Sequence, residues 1–263
     1  MFRSFAAAII LVSCLTAAGW AQSSSTDVAA ASTPTRSAAK GVAKTKPAEA
    51  GPCQIGVIPI AGNLFLVEKF GPIKLTDTYE QASVDRWALD ELVVSRVRAA
   101  VPGMLVRRLP FTKEELATQP KPLPRLGHDE NIREFAKYVA RGRNCERYVV
   151  VHRHGGSRRE FGIGISKHYL GINAQLFAMM YIRVYDGRTF QLINEAPALM
   201  DENTFVNRMK YHLGGPSRTI DLAMFPEKAA DAVANPVLRD GVREMLTASL
   251  DKTLPAMLRP RSP

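Results

Sequence analysis

Between Gln54 and Leu254 the hydrophobic period switches repeatedly between that of a strand and that of a helix, and this alternation limits the possible folds more than any other feature. Residues 54–60 and 64–67 are β-rich and stand either side of Ala61-Gly62-Asn63, which predicts a strand, a turn or bulge, and a continuation. Over 85–101 the apolar residues Trp87, Leu89, Leu92, Val93, Val97 and Val101 recur at helical spacing until Pro102-Gly103 stops them. Residues 104–109 read as a short strand, and 110–128, with four prolines, as a long surface loop. Ile132, Phe135, Ala136 and Val139 mark a second helix over 130–141, after which the valine-rich 148–151 reads as a buried strand. Residues 158–165 and 172–184 are expected to pair antiparallel, and Asp186-Gly187 to turn the second of them into 189–194. A polar irregular stretch follows Glu195, and Pro236 opens a closing helix over 236–254. The order strand, helix, strand, helix, three strands, helix predicts a mixed α/β fold. We expect a single sandwich whose mixed sheet has a parallel N-terminal half and an antiparallel C-terminal meander, covered by helices.

The N-terminal stretch carries a different signal. Arg3 supplies a positive charge, 5–18 form an apolar run too short to span a bilayer, and Gly19-Trp20-Ala21 puts small residues at the cleavage positions. Residues 1–21 therefore read as a secretory signal, with Gln22 as the mature start and a periplasmic or secreted location. A rival reading takes Leu11-Val12-Ser13-Cys14 as a lipoprotein signal, with Cys14 lipidated and the protein anchored to a membrane as a structural envelope protein. Residues 22–50 are Ala, Ser, Thr, Lys and Pro with few aliphatics, so a disordered linker is expected there, and a single globular domain over 51–263.

The formal charge of the 263-residue chain is +10. The excess concentrates where Arg133, Lys137, Arg141, Arg143, Arg147, Arg153, Arg158 and Arg159 face only Glu134 and Glu146. An exported protein with such a segment is expected to meet an envelope protein or an anionic envelope component, with nucleic acid a poorer fit and membrane contact peripheral unless Cys14 is lipidated. The candidate anion-binding residues are Arg133, Lys137, Arg141, Arg143, Arg153, Arg158 and Arg159; an ordinary solvated basic face is the alternative. Arg153-His154-Gly155-Gly156-Ser157-Arg158 also places a glycine turn between arginines, which could hold a phosphate or carboxylate or be a plain hairpin turn.

Catalytic signatures are scarce. His152 and His154 alternate on one strand and could share a metal, as in a metal-dependent hydrolase, or form a polar strand end. No Gly-x-Ser-x-Gly elbow, His-Glu-x-x-His helix or phosphate-binding Gly-Lys-Ser/Thr element occurs, and Gly162-Ile163-Gly164-Ile165 lacks the spacing of a nucleotide loop. The sequence leans away from an enzyme and calls for no cofactor. Cys53 and Cys145 remain once the signal is removed. Each precedes a strand, and if the first and third strands are parallel neighbours their ends come within bridging distance, which makes a disulfide an expectation in an oxidising compartment.

Ile55-Gly56-Val57-Ile58-Pro59-Ile60, the following helix, Asn144-Cys145-Glu146-Arg147-Tyr148-Val149-Val150-Val151 and the Asp186-x-x-Thr189 turn together resemble periplasmic lipoprotein-like domains of the curli-secretion-channel and penicillin-binding-protein-activator group. The resemblance covers about 52–195. It implies non-catalytic work in envelope assembly, secretion or activation of a partner.

Overall fold

The structure is a computed structural model, and it describes residues 53–73, 76–117, 128–153, 162–200 and 216–259. The signal, Cys14 and linker readings lie outside them, as do His154, Arg158 and Arg159.

The fold is a mixed α/β sandwich in which, among the described residues, ten strands form two five-stranded mixed sheets. The first sheet contains β1 (Cys53–Ile60), β4 (Val106–Arg108), β5 (Cys145–Arg153), β8 (Met180–Asp186) and β9 (Leu192–Pro197) in the order β4-β1-β5-β8-β9. The second contains β2 (Leu64–Phe70), β3 (Thr78–Ser83), β6 (Ile163–His168), β7 (Asn173–Ala178) and β10 (Ser217–Asp221) in the order β10-β7-β6-β2-β3. β1 is parallel to β4 and β5, and β2 to β6, while the remaining pairs are antiparallel.

The two orders are linked by the chain itself. β1 enters β2 through Ala61-Gly62-Asn63, and β7 enters β8 through Met179 alone. The neighbours β1, β5 and β8 of one sheet thus lead into the neighbours β2, β6 and β7 of the other. Hydrogen bonds stitch the crossing: Met179 N donates to the Gly162 carbonyl (2.6 Å) and Val84 N to that of Asn63 (2.6 Å). The single sheet expected from the sequence is therefore divided in two at a junction.

Among the described residues the helices are α1 (Leu89–Ala100), α2 (Lys113–Ala117), α3 (His128–Val139), α4 (Ala229–Ala234) and α5 (Pro236–Leu258). Strand alternation sends successive side chains to opposite faces. Val57, Val149, Ile182 and Val184 of the first sheet join Phe65, Ile165 and Leu176 of the second in one core with Val93 of α1 and Leu246, Leu250 and Leu254 of α5. Ile58, Val150 and Tyr185 face the other way and meet Phe135 and Ala136 of α3.

Several elements depart from the sequence reading. α2 lies inside the stretch read as a loop, and its start is a capping box: Glu115 N donates to Thr112 Oγ1 (3.1 Å) while Thr112 N donates to Glu115 Oε2 (2.6 Å). β3 and β10 have no counterpart in that reading; each is a sheet edge without a fully buried side chain and so carries no clear hydrophobic period. The strand expected over 172–184 is two strands in different sheets, β7 and β8. At the β8–β9 turn, Asp186 Oδ1 accepts from Arg188 N (3.0 Å), Thr189 N (2.7 Å) and Thr189 Oγ1 (2.9 Å), and these donors hold its carboxyl below the usual carboxylate range.

Candidate binding cleft at the sheet junction

The junction opens a cleft of about 240 Å³ at the carboxyl ends of β1 and β4, lined among others by Pro59, Gly62, Asn63, Asp90, Arg108 and Phe111. In open α/β sheets the carboxyl ends of parallel strands are where ligands collect, because neighbouring connections diverge there. β4 pairs with β1 only as far as Val57, so Pro59, with no N–H to give, stands where β1 has no strand partner on that side. The far wall begins with a 3-10 turn, Asp85–Trp87, followed by Ala88 in the left-handed region (φ 50°), after which α1 starts. Trp87 Nε1 donates to the Val233 carbonyl (3.2 Å) and Arg243 of α5 donates to the Trp87 carbonyl, so this turn is tied to α4 and α5.

Polar groups of both signs meet here. Arg108 Nη2 lies 3.3 Å from Asp90 Oδ2, and its other terminal nitrogen pairs with Glu91. Burial pushes the Asp90 carboxyl up to about 6; Arg108 and a hydrogen bond from the Ala61 amide pull the other way, and Glu91 and Asp85 add to the rise. Asp90 and Glu91 stand in the first turn of α1, where the helix dipole favours acids, and both also line the cleft.

Arg153, at the end of β5, packs behind Gly62 of the cleft wall. A β-carbon on Gly62 would stand 2.8 Å from Arg153 Nε, and one on Gly162 would stand 2.5 Å from Arg153 Cδ. Two glycines, one on each side of the junction, therefore make room for this side chain, and Gly62 also adopts φ +94°, which favours glycine. Arg153 is half-buried and makes no ion pair among the described residues.

The other basic residues do not gather at this place. Arg133 of α3 lies 3.6 Å from both Glu130 and Glu134, and Lys137 2.8 Å from Glu134. Arg141 stands 5.2 Å over the Tyr138 ring, and Arg143 sits just before β5, its carbonyl accepting from Tyr148 Oη (2.6 Å). Arg141 and Arg143 thus precede a nine-residue strand that ends at Arg153, a run of about 26 Å. His152 is buried on the α3 side, its Nδ1 donating to the Arg153 carbonyl (2.8 Å) and its ring 5.8 Å from that of Tyr181. Among the described residues no three His, Cys, Asp or Glu side chains gather as a metal site.

Cys53 and Cys145 stand opposite each other in the parallel register of β1 and β5, with Cα atoms 4.5 Å apart, and form a disulfide. Among the described residues no helix is long and apolar enough to cross a membrane.

No family model matches the sequence, and no curated protein matches it. Among solved structures the chain is similar to the hypothetical protein CT253 from Chlamydia trachomatis, at 12% identity and a TM-score of 0.32, covering 78% of this chain and 99% of that one. It is also similar to protein XCC0632 from Xanthomonas campestris, of DUF330, at 8% identity and a TM-score of 0.23, covering 79% of this chain and 82% of that one. At these values neither likeness bears on function.

Proposed function

We propose that this is an exported accessory protein of the cell envelope, which binds an anionic envelope component and carries out no chemistry of its own. The observation that supports this reading best is Arg153: a half-buried guanidinium without an ion pair among the described residues, seated between Gly62 and Gly162 beside a cleft at the strand ends. A partly desolvated arginine binds carboxylate or phosphate more strongly than a fully hydrated one, and its planar fork selects their geometry. The basic run from Arg133 to Arg159 then acts mainly through this one member, since α3 offsets Arg133 and Lys137 with its own glutamates.

The reading is tested by sedimentation with isolated envelope fragments. The wild-type protein is expected to pellet with them in a salt-sensitive way, Arg153→Glu to lose about tenfold or more in affinity, and Arg141→Glu to keep most of it. Equal losses in both variants, or no binding by the folded wild-type protein, would overturn the proposal.

A further inference from the structure

The far end of the second sheet holds a surface unlike the rest of the molecule. β6 and β7 are joined by Tyr169-Leu170-Gly171-Ile172, where Tyr169 is 67%, Leu170 87% and Ile172 85% exposed. β2 and β6 are parallel and end in register at Phe70 and His168, so the turn leaving β2 lies at the same end, and its Ile73 is 60% exposed. Four large apolar side chains thus stand out from neighbouring turns, and Leu170 and Ile172 are the most exposed of the large apolar residues among the described ones. Holding them in water opposes the hydrophobic effect, and clustered exposure of this sort marks a contact surface.

The ground beneath the turns is polar. A recess of about 410 Å³ is lined by Lys69, Thr76, Lys167 and His168 among others. Lys69 and Lys167 both reach Glu227, at 3.2 and 4.0 Å, and Lys167 Nζ lies 4.3 Å from the centre of the Phe225 ring. The nearby acids Asp77 and Asp221 accept from the Gly71 and Ala223 amides. Lysines and acids are close to balance, so the apolar turns dominate this end.

We propose that this end docks on a phospholipid bilayer, with Tyr169, Leu170, Ile172 and Ile73 entering the interfacial region and Lys69 and Lys167 meeting lipid phosphates. Area favours lipid over a protein partner. Four side chains on two neighbouring turns offer a few hundred Å², against about 800 Å² that each side of a stable protein interface contributes, whereas a bilayer needs no matching contour to take up exposed apolar side chains. A tyrosine beside aliphatic residues, with lysine stems rising from below, suits the boundary between acyl chains and headgroups. Because every phospholipid carries phosphate, insertion does not require an anionic lipid. The surface lies about 20 Å along β2 from the junction cleft and is independent of the reading proposed for Arg153.

The test places an indole on the turn. The full chain carrying Leu170→Trp is mixed with vesicles of phosphatidylcholine, with and without one third phosphatidylglycerol, whose acyl chains are brominated. We expect quenching and a blue shift of the added emission with both vesicles, with less than about threefold difference in partition between them. Adding Ile172→Asp and Tyr169→Ser is expected to lower partition tenfold or more. Absence of quenching, or equal quenching after the Asp and Ser changes, would overturn the proposal. So would binding confined to phosphatidylglycerol and abolished by 0.5 M salt, since that pattern belongs to adsorption through the basic residues. Every chain in the test also carries Trp20→Phe, so that an interaction of the N-terminal apolar residues with lipid cannot imitate quenching of the turn, and the one remaining native tryptophan, Trp87, is buried.

Discussion

Arg153 and Asp90 show how far a residue's role depends on neighbours distant in sequence. Arg153 is one of eight cations between Arg133 and Arg159, and nothing in its local sequence separates it from Arg141 or Arg143. Its distinction comes from Gly62, which lies about ninety positions earlier, and from Gly162 across the junction. Asp90 likewise looks like an ordinary acid in the first turn of a helix, where the helix dipole alone accounts for it. Only the fold buries it and lifts its carboxyl to about 6 from a usual 3.8. A carboxyl whose folded pKa is raised favours the native state while protonated, so this contribution is complete below about pH 3.8 and is lost as pH rises through about 6. About a third of the side chain remains in water, so we expect the loss to be on the order of 1 to 2 kcal/mol. Urea unfolding between pH 4 and 7 should show this decline in the wild-type protein and a flatter profile in Asp90→Asn; identical profiles would refute the burial of its charge.

At the scale of elements, legibility follows burial on both sides. β1, β5 and α5 are flanked by other elements, and the chain writes them as dense apolar runs or clear helical periods. β3 and β10 form edges, and Thr78-Tyr79-Glu80-Gln81-Ala82-Ser83 has no pattern that separates it from a loop. α2 did leave a mark, Thr112-x-x-Glu115, which the surrounding prolines obscure. The parallel adjacency of β1 and β5 follows from alternating strands and helices, and it places Cys53 opposite Cys145. A bridge there closes a separation of 92 residues, which restricts the unfolded chain and is worth about 2 to 4 kcal/mol. Replacing both cysteines by serine should lower the unfolding free energy in urea by that amount, and alkylation should find no free thiol at either position in oxidised protein. Unchanged stability, or two reactive thiols, would contradict the bridge.

Over the whole molecule, one architectural event sets out the candidate surfaces. Carrying three neighbouring columns of strands from one sheet into another creates a junction, and the junction brings β1, β4 and α1 around one cleft, with Arg153 packed behind its Gly62. No single segment of sequence contains that cleft, because its walls come from residues 59–63, 84–91 and 108–116. The same layout sends the turns at Ile73 and Tyr169 to the opposite end of the second sheet, where both side chains are exposed. The central claim, that the junction receives an anionic envelope component, is tested most directly by a photoreactive residue at Asn63 in the cleft wall. In cells producing the otherwise wild-type protein, illumination should yield one discrete adduct, and adding Arg153→Glu to a chain that still folds should remove it. No adduct in the wild-type background, or the same adduct in both, would contradict the account.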